Sequence, residues 1–109
     1  MCYVDNVVDA CVRAALGDTT HHSYNVACGS RITNSEILEM VMKHYTRSKS
    51  MITYAPSRPG DVMHTHADIT NIQRDLGYTP LVRFEEGLKR TMEWYDENWH
   101  KIKHMKLKM

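Results

Sequence analysis

Apolar residues recur at three- and four-residue steps in several stretches of this chain, with polar and turn-forming residues between them. Val7, Val8, Cys11, Val12 and Ala15 make one helical stripe, with Asp5 as the capping residue and Gly17-Asp18 as the stop. Ile37, Leu38, Val41, Met42 and Tyr45 make a second. It opens at Thr33, where Thr33 and Glu36 have the spacing of a capping box. Asp68 caps a short third helix through Ile69, Ile72 and Leu76, and Gly77 ends it. The strongest period is the last. Phe84, Leu88, Met92, Tyr95 and Trp99 recur almost every fourth residue, Thr91 shares their face, and Glu85 and Glu86 favour the helix start electrostatically. Arg83 stands where a capping side chain is expected; a guanidinium has no acceptor for the helix N–H groups, so this start is loose.

Two short runs read as strands. Tyr24-Asn25-Val26-Ala27 ends at Gly29, and Met51-Ile52-Thr53-Tyr54 ends at Pro56 and Pro59. A further extended run covers Val62 to Ala67. Helices alternating with short strands predict an α/β or α+β-like fragment of four helices and few strands. Such a shortage of strands suggests part of a larger layered structure. With 109 residues, one domain over 1–109 is expected, with a basic, fraying tail at 101–109.

Composition narrows the partners. The formal net charge of +1 gives no broad field for nucleic acid or an anionic membrane, so an anion site must be built locally. The tail KIKHMKLKM is basic but lacks aromatic residues, and reads as a solvated helix end. No run of about 18 apolar residues occurs. Three cysteines, Cys2, Cys11 and Cys28, are odd in number and irregular in spacing, which favours reduced thiols and a cytoplasmic location over a disulfide framework.

The candidate chemistry centres on PSRPGDVMHTHAD, residues 56–68. Arg58 and Asp61 flank Pro59-Gly60, a pair that presets a tight turn and lets the two side chains converge. A guanidinium matches phosphate oxygens and keeps its charge; a carboxylate accepts from sugar hydroxyls. Together they suit a phosphorylated sugar or a nucleotide diphosphate, and the plainer reading is a surface turn with a local ion pair. His64 and His66 share one face of an extended segment, but no third metal ligand is set by spacing. His21-His22 and the pair His100/His104 read as solvated, the latter lacking the glutamate of a zinc-hydrolase helix. No P-loop, nucleophile elbow or glycine-rich dinucleotide loop is present. Tyr45 and Lys49 match the Tyr-x-x-x-Lys spacing only formally, since Tyr45 belongs to an apolar stripe and Lys49 falls beyond that helix. Trp94 and Trp99 read as core or interface aromatics.

Several stretches then line up in order: Tyr3 to Ala10, Tyr24 to Ala27, Arg31 to Ile37, Arg58 to Val62, Ala67 to Ile69, Leu76 to Pro80 and Phe84 to Tyr95. The series resembles the C-terminal, substrate-binding part of the extended short-chain dehydrogenases/reductases. Its nearest likeness is to NAD-dependent nucleotide-sugar epimerases acting on UDP-N-acetylglucosamine or UDP-glucuronate. The resemblance covers about residues 2–96. It implies that Arg58 contacts the diphosphate of a UDP-sugar, that Asp61 contacts the ribose hydroxyls, and that Thr65 reaches the diphosphate region. It also implies that the NAD loop and the catalytic tyrosine and lysine lie upstream of the stretch seen here. The chain is therefore expected to carry no cofactor site and no catalytic residue of its own, and to be inactive alone. NAD is expected only in a complete family member. An N-terminal partner chain would supply what is missing, and the apolar surface left uncovered without it favours a homo-oligomer. Two other readings remain: a non-catalytic, self-associating protein that keeps the lobe's fold, and a histidine-based metal module.

Overall fold

A computed structural model of the chain describes residues 1–18, 23–46 and 52–105. Four helices follow one another: α1 (Val4–Leu16), α2 (Asn34–His44), α3 (Thr70–Leu76) and α4 (Phe84–Ile102). Their number and order match the periodicity of the sequence. The strands do not: among the described residues there is none. Tyr24 to Ala27, expected as a strand, take no regular secondary structure, and no second strand lies alongside to complete a ladder. β-branched and aromatic residues favour the extended backbone; a sheet needs a neighbour as well. Residues 52–54 and 62–67 are likewise unpaired, and Met51 lies outside the described residues. The architecture is thus a helical fragment, to which an α/β description fits only loosely.

The helix ends behave as local chemistry dictates. The Thr33 hydroxyl accepts from the Glu36 N–H at 3.1 Å, and the Glu36 carboxylate accepts from the Thr33 N–H at 2.7 Å, closing the capping box. Those bonds hold the Glu36 carboxyl below its usual range. The Asp68 carboxylate accepts from the Thr70 N–H at 2.9 Å at the head of α3. Gly77 ends that helix at φ 61°, a left-handed conformation open to glycine at little cost. Arg83 contributes no side-chain cap to α4. Asp5 is not a cap: the helix starts two residues earlier than that reading requires, after Tyr3, and Asp5 sits in the first turn, 3.7 Å from Arg90. The helix α4 continues through Lys101 to Ile102; residues 106–109 of the tail lie outside the described residues, as do His21, His22 and Lys49.

The core is small. Ala10, Ile69, Ile72 and Tyr78 are buried together, with Tyr24, Val26, Ala27 and Leu76 against them. This cluster joins α1 to α3, the helices that pack on each other. Arg13 reinforces the pair by donating to the Leu76 carbonyl at 3.2 Å. Fully buried Tyr78 donates to the Ala27 carbonyl at 2.8 Å, fixing the segment around Ala27 to the core. The radius of gyration is 17.1 Å, against about 13 Å for a compact domain of this length, so much of the chain lies away from that core.

The face of α1 that is buried is not the valine stripe. Val7, Val8, Cys11, Val12 and Ala15 are exposed, and Asn6 and Ala10 point inward. Asn6 explains the rotation. Its Oδ1 accepts from the Leu81 and Val82 N–H groups at 2.8 and 2.9 Å, and its Nδ2 donates to the Val82 carbonyl at 2.8 Å. One buried amide thus clamps a loop 75 residues away and turns the small side of the helix to the core. On α4, Met92 and Gly87 are buried and Phe84, Leu88 and Thr91 half-buried, but Tyr95 and Trp99 are exposed. Gly87 is buried because Tyr3 crosses there: a Cβ on residue 87 would stand 2.6 Å from the Tyr3 Cβ.

Candidate functional site

Pro59 and Gly60 make the turn that their chemistry requires. The Asp61 N–H donates to the Arg58 carbonyl at 3.2 Å, and Gly60 takes φ 90°. Proline second and a positive-φ glycine third define a type II turn, which brings the first and fourth Cα atoms within about 7 Å. Arg58 and Asp61 are those two residues, so their side chains spring from neighbouring points. Nothing stands within 4 Å of a Cβ built on Gly60, so its left-handed backbone, not crowding, is the reason for a glycine.

The rest of the constellation is open. Every residue from 53 to 68 is exposed, Thr65 included. Arg58 and Asp61 form no ion pair or hydrogen bond with each other or with another described side chain. Of the plainer reading, a surface turn with a local ion pair, the surface turn is present and the ion pair is not found among the described residues. His64 and His66 are exposed as well; among the described residues no three of His, Cys, Asp and Glu stand together to hold a metal ion. His66 lies near Asp68, whose carboxyl is held below its usual range first by the Thr70 hydroxyl and N–H and then by that imidazole.

A concavity lies elsewhere. A half-open groove of about 550 Å³ runs between the start of α1 and the flank of α4, with Cys2, Val4, Leu88, Trp94 and Tyr95 in its wall and Arg90 at its edge. The Arg90 guanidinium sits 5.9 Å from the Tyr3 ring centroid. None of Arg58, Asp61 and Thr65 lines this groove. A second polar contact also escaped the sequence pattern: His44 Nε2 meets Asp96 Oδ2 at 2.8 Å, joining α2 to α4. Neither feature has a signal in spacing along the chain, since each arises from residues of separate helices.

The five glycines, at 17, 29, 60, 77 and 87, stand singly along the chain. No helix of the described residues is long and apolar enough to cross a membrane.

No family model matches the chain. Individual proteins do. An uncharacterized protein of Methanocaldococcus jannaschii is 34% identical over 96 residues, covering 88% of this chain and 29% of its own length. The dTDP-glucose 4,6-dehydratase of Streptomyces niveus is 34% identical over 91 residues, 81% of this chain and 27% of the enzyme. UDP-glucuronate 4-epimerase 5 of Arabidopsis thaliana is 35% identical over 111 residues, 85% of this chain and 24% of the enzyme. The chain is a relative of nucleotide-sugar dehydratases and epimerases. This likeness supports the epimerase/dehydratase family and does not select the UDP-N-acetylglucosamine enzymes, because the named relatives differ in nucleotide, sugar and reaction. The chain spans less than a third of the length of these relatives.

Proposed function

We propose that this chain is a nucleotide-sugar-binding lobe of an NAD-dependent epimerase/dehydratase. Arg58 holds the diphosphate of a UDP-sugar, Asp61 accepts from the ribose hydroxyls, and Thr65 adds a hydroxyl near the diphosphate. The observation that carries this reading is the likeness to nucleotide-sugar enzymes over 81–85% of the chain. The tight Arg58–Asp61 turn supports the residue assignment, since it presents a cation and an acceptor from one corner. Both groups are hydrated and the corner is not walled in, so binding by this chain is weak, and the charged contact is screened by salt.

Isothermal titration with UDP-glucose, UDP-glucuronate and dTDP-glucose tests the assignment. Arg58→Ala is expected to weaken binding about tenfold, the scale of a lost hydrogen bond to a charged group. Heat that is absent for all three sugars, or unchanged by Arg58→Ala, would count against a retained site.

A second reading rests on a different observation, the apolar surface of α1 and α4. Val4, Val8, Val12 and Leu16 are exposed, as are Trp94 and Trp99. Such a surface favours association, and under this reading the chain is a non-catalytic, self-associating protein. Light scattering behind size exclusion is then expected to give a mass above the 12.7 kDa of one chain, reduced by Val8→Asp or Val12→Asp. A monomer at high concentration would remove this alternative.

A further inference from the structure

We infer that the cavity where α2 meets α4 is a binding site for a small quaternary ammonium cation, of which choline is the type. Tyr45, Tyr95, Asp96 and Trp99 line a half-open cavity of about 580 Å³. That volume falls within the range of small-molecule sites, about 300–1,000 Å³. The lining includes neither Arg58 nor Asp61, and the inference does not rest on the sugar-binding reading.

The three rings end the apolar stripes of α2 and α4, where burial is expected. Instead Tyr45, Tyr95 and Trp99 are 39%, 46% and 59% exposed. Tyr95 and Trp99 stand one turn apart on α4, so their rings share a face of that helix. Tyr45, the C-cap of α2, adds the third ring. Two of the rings have an aromatic neighbour outside the lining. His44 meets Tyr45 edge-on with centroids 4.7 Å apart, and Trp94 meets Tyr95 edge-on at 5.3 Å. Asp96 is placed by His44, whose Nε2 stands 2.8 Å from its Oδ2 and ties α2 to α4 beside the cavity. An imidazole that donates from Nε2 in its neutral form leaves the carboxylate its charge.

The chemistry of the lining selects the ligand. Among the described residues it holds one carboxylate and no lysine or arginine. Aromatic faces are negative, and the C-terminal end of α2, at Tyr45, carries the negative end of the helix dipole. An anion is therefore repelled. A metal ion of the calcium type needs more oxygen ligands than one carboxylate supplies, and no group of metal-binding side chains gathers among the described residues. A primary ammonium is strongly hydrated and seeks acceptors for its N–H bonds, which the rings do not replace. A quaternary ammonium has no N–H to satisfy. It presents its charge through methyl groups, which pack on aromatic rings while the charge is attracted to the ring faces and to Asp96.

The test titrates the full chain with choline at constant ionic strength, following the N-methyl proton resonance by NMR. The comparison ligand is dimethylbutanol, the analogue of choline in which a tert-butyl group replaces the trimethylammonium. Choline is expected to saturate the site and to bind about tenfold more tightly than this neutral analogue, the scale of cation–π attraction. Trp99→Ala and Asp96→Asn should each weaken choline binding about fivefold. Both side chains are exposed, so the circular dichroism of the helices should be unchanged. Glu93→Gln, which removes a charge on α4 outside the cavity lining, should bind like the parent. Equal affinity for choline and its neutral analogue would overturn the inference. So would a response that does not saturate, binding that either cavity variant leaves unchanged, or a loss in Glu93→Gln as large as that in Asp96→Asn.

Discussion

Replacing Asn6 by alanine is expected to lower the unfolding free energy by about 3 kcal/mol or more, on the scale of buried polar groups left unpaired. The side chain is fully buried and serves three bonds to Leu81 and Val82. Alanine leaves two backbone donors and a carbonyl with no partner, in a place where water must enter to reach them. It also frees α1 from the constraint that keeps its valines outward. Urea unfolding followed by circular dichroism measures the loss, and against a total of about 5–15 kcal/mol for ordinary domains the shift should be large. A change below about 0.5 kcal/mol, the level of an indifferent surface substitution, would show that the loop at 81–82 does not depend on this clamp.

The second large effect concerns Gly87, where two rules give opposite signs. In an exposed helix interior, glycine to alanine gains about 1 kcal/mol from propensity alone. Here the new Cβ would lie 2.6 Å from the Tyr3 Cβ and 2.9 Å from its Cγ, distances that force α1 and α4 apart. Overpacking of this kind costs about 1–3 kcal/mol, so Gly87→Ala is expected to destabilise. A double-mutant cycle decides it. Tyr3→Gly removes the colliding carbon, and in that background Gly87→Ala should become stabilising. The same sign in both backgrounds would mean that the close approach of Tyr3 does not set the need for glycine.

These two residues also mark where the sequence stops being informative. The helices were legible because their signals are local: Thr33 and Glu36 satisfy each other within one turn, and Gly77 supplies its own left-handed stop. The Arg58–Asp61 turn was legible for the same reason, being closed by its own proline and glycine. What could not be read is whatever requires a distant partner. Tyr24 to Ala27 has the residues of a strand, but a ladder is a property of two segments. The stripe Val7, Val8, Val12 identified an apolar face without saying which element covers it, and none of the described residues does. Asn6 looked like an ordinary polar residue of the first turn until residues 81–82 came to lie beside it. The candidate site divides in the same way: its corner is encoded locally, while a wall around Arg58 and Asp61 would have to come from elsewhere in space.

The uncovered stretch from 53 to 68 has a consequence for how the molecule would come apart. It is the accessible backbone that a protease needs, and it separates α1 and α2 from α3 and α4. A cut there would not release two free pieces. Asn6 still grips residues 81–82, Tyr78 still grips Ala27, and Arg13 still reaches Leu76, each bond running from one side of the cut to the other. The cleaved chain would persist as a non-covalent heterodimer of its own halves, its four helices kept and its Arg58–Asp61 corner severed or displaced.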